Sequence, residues 1–214
     1  MVFNLSEENS IANQFLSELR DKNVQADRMK FRKNLERLGQ IMAYEVSRKL
    51  TYKAIDVPTP LGTSSIELPV SSPVLITVMR AGLGYFQGFV DYFDRSDCGF
   101  IGAYRQEGSK EILINLEYVA APGIDGKEVI LIDPMLATGS SFIQAVDAMR
   151  RLGTPSHIHI AALVASPQGI SFVEKNLELP HTIWACAIDD TLDDNFYIVP
   201  GLGDAGDLSF GIKL

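Results

Sequence analysis

Apolar positions in the first fifty residues recur at helical spacing. Ile11, Phe15, Leu16 and Leu19 fall on one stripe, and Phe31, Leu35, Leu38, Met42 and Val46 on another, with charged residues between them. Two helices are predicted there, the second capped by Asp27. Residues 52–57 and 64–68 read as two short strands around Pro58, Pro60 and Gly62, which predicts a β-hairpin arm over 52–68. From residue 74 the texture changes to short apolar runs, at 74–79, 99–103, 129–132, 158–165 and 182–188. Helical patterns follow several of them, at 85–93, 141–152 and 170–176. Strands alternating with helices predict an α/β fold, a mostly parallel sheet flanked by helices. No proline- or glycine-rich linker divides the chain, so one domain is expected over 1–214. In such sheets ligands sit beyond the carboxyl ends of the strands, so the residues after each run are the ones to read for chemistry.

Composition narrows the classes. The chain has 214 residues, 46% hydrophobic and 21% charged, as an ordinary globular protein does. No stretch approaches the roughly 18 apolar residues that cross a bilayer, and the N-terminus lacks the basic and apolar regions of a secretory signal. Cys98 and Cys186 are too few for a disulfide scaffold or a four-cysteine metal site, so a reducing cytoplasm is expected. The formal net charge of −8 offers no broad basic face for nucleic acid or an anionic membrane. An anionic ligand must therefore be held locally, by a few arginines and backbone N–H groups in a concave site.

Three segments after strands carry such chemistry. Arg80-Ala81-Gly82-Leu83-Gly84 pairs a guanidinium with small residues that let the backbone approach an anion. The plainer reading is a glycine turn beside a surface arginine. Gly82, Gly84 and Gly88 miss the dinucleotide fingerprint by one residue of spacing. In the second segment, the strand at 129–132 ends in Asp133 and is followed by Pro134, Met135, Leu136, Ala137, Thr138, Gly139, Ser140 and Ser141, then an amphipathic helix. The helix start favours a phosphate, and the hydroxyls of Thr138, Ser140 and Ser141 can add donors. Asp133 can accept from a ribose diol or hold a hydrated Mg²⁺. The loop is not a Walker A motif, since no Gly-Lys-[Ser/Thr] occurs in it. The third segment is Pro200-Gly201-Leu202-Gly203-Asp204-Ala205-Gly206-Asp207, after Tyr197-Ile198-Val199. Its glycine spacing fits the dinucleotide pattern, but eight residues remain after Gly206, too few for a βαβ unit. What it offers is a glycine-dense loop that can approach a ligand closely.

Taken together, in this order and spacing, the three segments resemble the uracil phosphoribosyltransferases. The resemblance runs from about residue 26 to the C-terminus; residues 1–25 have no clear counterpart and read as an N-terminal extension. It implies a type I phosphoribosyltransferase fold and the conversion of uracil and PRPP to UMP and pyrophosphate, a step of pyrimidine salvage. It implies catalytic roles for Arg80, Arg105, Asp133 and Asp204. PRPP would be bound by Arg80, Arg105, Asp133, Pro134, Met135, Leu136, Ala137, Thr138, Gly139, Ser140, Ser141 and Asp204, and uracil by Ile198, Gly203, Asp204 and Ala205. Mg²⁺ would arrive mainly on PRPP, because Pro134 replaces the second acid of many phosphoribosyltransferases, and no protein metal ligand set is expected. The family also implies a homodimer or homotetramer and, in some members, a GTP effector. The sequence departs from the family pattern at Ser140, where a glycine is usual, and at Gln106-Glu107-Gly108, where the family has Asn-Glu-Glu.

The residues suit that chemistry. Breaking the C1′–pyrophosphate bond leaves an oxocarbenium-like ribose, and arginines with Mg²⁺ can neutralise the leaving group without a nucleophilic side chain. His157 and His159 share a face of one predicted strand but lack a third ligand, and His181 reads as solvated. The acids Asp189, Asp190, Asp193 and Asp194 read as a solvated loop, Trp184 as core, and both cysteines as inert. Two alternatives stand beside the enzyme. One is a regulatory protein of the same fold that senses PRPP or nucleotides; the other is the same transfer to a different base.

Overall fold

The computed structural model describes residues 1–105 and 114–212 and, at 104–105 and 114–117, the backbone alone. In chain order the elements begin with β1 (Val2–Asn4), α1 (Ile11–Arg20), α2 (Arg28–Ser47), β2 (Tyr52–Thr59), β3 (Gly62–Pro69) and β4 (Val74–Met79). Next come α3 (Leu83–Val90), β5 (Cys98–Arg105), β6 (Ile114–Ala120), β7 (Glu128–Ile132), β8 (Met135–Leu136) and α4 (Ser140–Met149). The chain closes with β9 (His157–Ala165), α5 (Pro167–Asn176), β10 (His181–Ile188), β11 (Thr191–Leu192), β12 (Ile198–Val199) and α6 (Ala205–Phe210).

The main sheet has the order β1-β10-β9-β7-β4-β5-β6, with β8 added beside β9. Its pairings are parallel except that of β5 with β6. Alternation along each strand feeds two cores. Leu75, Ile130, Ile132, Leu163 and Trp184 pack with Leu35, Leu38, Met42, Tyr85 and Phe89 of α2 and α3. Val74, Ile76, Val129, Leu131, Ile158 and Ile160 face the other way, onto Phe142, Val146, Met149 and Val173 of α4 and α5. Strands buried on both faces lose the polar alternation of half-buried ones, which is why they read as continuous apolar runs.

Local signals start the helices where expected. The Asp27 carboxylate accepts from the N–H groups of Met29 and Lys30 at 3.0 and 3.1 Å and caps α2. The hairpin forms a separate two-stranded ribbon, registered from Tyr52↔Pro69 to Thr59↔Gly62. It extends slightly beyond the predicted limits, because Pro58 still pairs with Thr63; a proline is tolerated where one edge of the strand has no partner. Among the described residues no helix is long and apolar enough to cross a membrane.

The order of strands positions the site. From β4 the chain moves outward to β5 and β6, then returns to the other side of β4 as β7. The loops leaving the carboxyl ends of β4 and β7 therefore diverge and leave a crevice between them, where open α/β sheets bind ligands.

Candidate active site

A cavity of about 290 Å³ opens at that crevice. From the β4 end it is lined by Arg80 and Ala81, and from the β7 end by Asp133, Met135, Ala137, Thr138, Gly139 and Ser141. The C-terminal segment adds Phe196, Tyr197, Ile198, Gly203, Asp204 and Ala205. The three segments singled out in the sequence thus converge on one concavity, although 48 residues separate the first from the second and 58 the second from the third.

Within the run 133–141 the facing alternates, and the reason is strand geometry. β8 continues the β7 loop as a short strand paired with β9, so successive residues point to opposite sides. Asp133, Met135 and Ala137 face the cavity. Pro134 and Leu136 are buried towards the sheet, where the Pro134 carbonyl accepts from Leu163 and Val164, both at 3.0 Å, and the Leu136 carbonyl from Ser166 at 3.0 Å. Ser140 is not among the lining residues either; its hydroxyl accepts from the Gln144 amide at 3.0 Å. Within this run, then, alternate positions and the helix start line the cavity. Arg105 ends β5, its backbone opposite Ile114, while its side chain lies outside the described residues, as do Gln106, Glu107 and Gly108.

Asp133 is nearly buried, and its carboxylate accepts from the Met135 N–H at 3.0 Å, which turns the chain sharply at the strand end. Gly139 then takes φ +82°, and a Cβ there would sit 2.8 Å from the Gly169 carbonyl oxygen. Only glycine fits that bend. It starts α4 with no side chain at the N-cap, and although the Ser140 N–H donates to Thr138 Oγ1 at 3.4 Å, the helix dipole still favours an anion there. Ser140, the next residue, is not among the residues at positive φ, so the serine in place of a second glycine carries no backbone strain.

On the opposite wall, Asp204 caps α6 by accepting from the Asp207 N–H at 2.9 Å. Arg80 reaches across: its Nη2 donates to Asp207 Oδ1 at 3.0 Å and to the Gly211 carbonyl at 3.3 Å. The peptides Met79–Arg80 and Val199–Pro200, which lead into two walls of the cavity, are both cis.

The acidic run 189–194 does not behave as one solvated loop. Asp189 is buried against Arg20, whose Nη1 and Nη2 donate to its two oxygens at 2.7 Å each. Asp193 organises the turn that presents two aromatic rings: its Oδ1 accepts from Asn195 at 2.9 Å and Tyr197 at 2.8 Å. Phe196 in that turn has φ +62°, uncommon for a bulky residue, and both Phe196 and Tyr197 line the cavity. Sequence reasoning missed Phe196 and Tyr197; the Asp-Asp-Asn run before them is a turn signal that could have placed them.

The model of the uracil phosphoribosyltransferase family matches residues 6–212. The chain belongs to that family. Among curated relatives, a uracil phosphoribosyltransferase of Porphyromonas gingivalis is 46% identical over 214 residues, covering all of this chain and 99% of its own length. One from Pyrococcus furiosus is 35% identical over 202 residues, covering 92% of this chain and 85% of its own length. A solved structure of a protein from Aquifex aeolicus superposes with a TM-score of 0.87 over the full length of both chains, at 26% identity. The family match includes α1, so most of the segment read as an extension lies inside it. The α/β architecture that the resemblance implied, a mostly parallel sheet flanked by helices, is the one observed.

Proposed function

We propose that this member of the uracil phosphoribosyltransferase family transfers the phosphoribosyl group of PRPP to N1 of uracil, giving UMP and pyrophosphate in pyrimidine salvage. The observation that carries the reading is the convergence of Arg80, the Asp133–α4 loop and the Gly203-Asp204-Ala205 loop on one cavity at the sheet's switch point.

Each wall has a task. The first turn of α4, with Thr138, Gly139 and Ser141, receives the 5′-phosphate. Asp133 accepts from the ribose hydroxyls, and Met135 and Ala137 lend the cavity their backbone. Pro134, Leu136 and Ser140 serve this site by holding the loop to β9 and to Gln144. Arg80 and Arg105 balance the pyrophosphate as it leaves, with Asp204 facing PRPP from the base side. Ile198 with Gly203, Asp204 and Ala205 holds uracil largely through backbone groups. The C1′–O bonding pair leaves with pyrophosphate, the uracil N1 lone pair forms the new C1′ bond, and the N1 proton passes to water. Fixing both reactants on rigid strand ends supplies the orientation that the step needs.

The donor set suits a divalent ion carried by the substrate. Asp133 and Asp204 line the cavity, and among the described residues no group of three His, Cys, Asp or Glu side chains could hold a metal. Mg²⁺ bound mainly by PRPP would neutralise part of the pyrophosphate charge. The reading extends to the cytoplasm, carried over from the resemblance and the sequence, and to a homodimer or homotetramer, which the exposed apolar residues Leu61, Ile66 and Leu68 on the hairpin support. A GTP effector is carried over from the resemblance alone, and rates measured with and without GTP check it. Pyrophosphate release from PRPP–Mg²⁺ that depends on uracil tests the function itself. Release that does not depend on uracil, or none at all, refutes it.

A further inference from the structure

Between the Asp193 turn and α6 the chain passes through Gly201 and Leu202, both buried and neither lining the cavity. Their backbone is gripped from the N-terminal part of the chain. Asp189, held by Arg20 in a two-armed ion pair, accepts from the Gly201 N–H at 2.8 Å. The same Arg20 Nη1 donates to the Gly201 carbonyl at 3.0 Å. Gln25 donates through Nε2 to the Leu202 carbonyl at 3.2 Å and to the Leu19 carbonyl at 2.7 Å, so it ties this loop to the end of α1. The anchor is rigid in turn, because the Asp189 N–H donates to the Ala165 carbonyl at 2.8 Å and locks the ends of β9 and β10 together. Gly201 sits at φ +56°, where a Cβ would fall 2.0 Å from the Ile198 carbonyl oxygen, so the loop has one narrow path.

The next residues along that path are Gly203, Asp204 and Ala205 of the cavity wall. Backbone recognition works only if the peptide planes are fixed. A rotation of the Gly201 or Leu202 peptide would swing the N–H and C=O groups that follow.

We propose that Arg20, Asp189 and Gln25 are positioning residues for base recognition. The N-terminal segment is then part of the specificity apparatus, although none of these side chains touches the base. The inference rests on the reading above that the loop 203–205 receives uracil. It bears on uracil more than on PRPP, since Gly203, Asp204 and Ala205 follow directly on the gripped backbone, whereas the side chains of Arg20, Asp189 and Gln25 make no bond to the α4 loop among the bonds described and only Asp204 is shared with PRPP.

The test is steady-state kinetics of the full chain with Arg20→Met, Arg20→Lys and Gln25→Leu, each with a thermal melt. Arg20→Met removes a charge-assisted contact and is expected to raise KM for uracil about tenfold, with KM for PRPP within about twofold of wild type. Arg20→Lys keeps the charge but not the fork, so it should recover part of the loss. Gln25→Leu, expected to raise the uracil KM about threefold, leaves Asp189 paired and carries the test if Arg20→Met does not fold. Unchanged uracil KM in the folded variants, or equal rises in both KM values, overturns the inference. Wild-type protein inactive with uracil overturns the function itself, a result visible without any variant.

Discussion

Replacing Arg80 with alanine should separate activity from stability. The Arg80 side chain is 41% exposed, and its ion pair with Asp207 spans 3.0 Å at the cavity rim. An exposed pair of that kind contributes about 0.2–1 kcal/mol, which in a chain this long shifts Tm by about 4 °C or less. Its proposed partner in the reaction is different: a pyrophosphate that gains charge as the bond breaks and covers Arg80 at the cavity wall. Losing one such contact costs roughly 2–4 kcal/mol in the transition state, or about 30- to 1,000-fold in kcat. Uracil affinity should change less than kcat, because the contacts of Arg80 to the base-side wall are only the exposed pair with Asp207 and a 3.3 Å bond to the Gly211 carbonyl. The assay pairs kcat for pyrophosphate release with a melting curve. A kcat that does not change removes Arg80 from the mechanism. A fall in kcat matched by a drop in Tm of about 10 °C would show that Arg80 holds the fold rather than the leaving group.

Gly139→Ala should destabilise the protein by about 1–3 kcal/mol and raise KM for PRPP, since a Cβ at φ +82° meets the Gly169 carbonyl; a variant with wild-type Tm and KM would contradict this. The amino end of the sheet should make stability sensitive to acid. The Glu128 carboxyl lies below its ordinary 4.5, chiefly because His159 Nε2 donates to it at 3.3 Å, while burial holds His157 below its ordinary 6.5. Both shifts mean that the unfolded chain binds more protons, so stability falls first as pH drops below about 6.5 through His157, then below about 4.5 as Glu128 is protonated. Glu128→Gln should therefore lower Tm at pH 7 and converge on wild type in strong acid; a constant gap across pH would show that the Glu128 charge does not matter. In the native protein an alkylating reagent should modify Cys98, which is exposed, and spare Cys186, whose thiol is buried and pushed up to about 12. Mass spectrometry that finds Cys186 labelled at the same rate would refute this.

The central strands, the helices that cover them and the three converging segments were legible because each rests on local pattern. β4 spans the predicted run 74–79, and β9 and β10 each begin one residue before theirs. Elements that depend on a neighbour were not legible. β1 is three residues long and is held by its parallel pairing with β10 and by Phe3 stacked on Trp184, and β8 exists through its pairing with β9. β6 carries an alternation at Ile114, Leu116 and Tyr118 that could have been read as a strand. The grip of Arg20 and Gln25 on the Gly201-Leu202 backbone joins positions about 180 residues apart, and nothing in the local pattern of either announces it.

The central claim is that the loop Ile198–Ala205 reads uracil through its backbone, and relative kcat/KM for competing bases with PRPP–Mg²⁺ tests it most directly. Uracil presents an acceptor at O4 and a donor at N3, whereas cytosine reverses both. A dry loop matched to the first faces the second with two like-to-like contacts, each costing about 1–3 kcal/mol, so uracil should be preferred by at least ~10²-fold. 5-Fluorouracil keeps both contacts and should be turned over. Orotate, which brings a carboxylate towards Asp204, and hypoxanthine, which adds a ring, should not. Comparable kcat/KM values for uracil and cytosine would contradict the account.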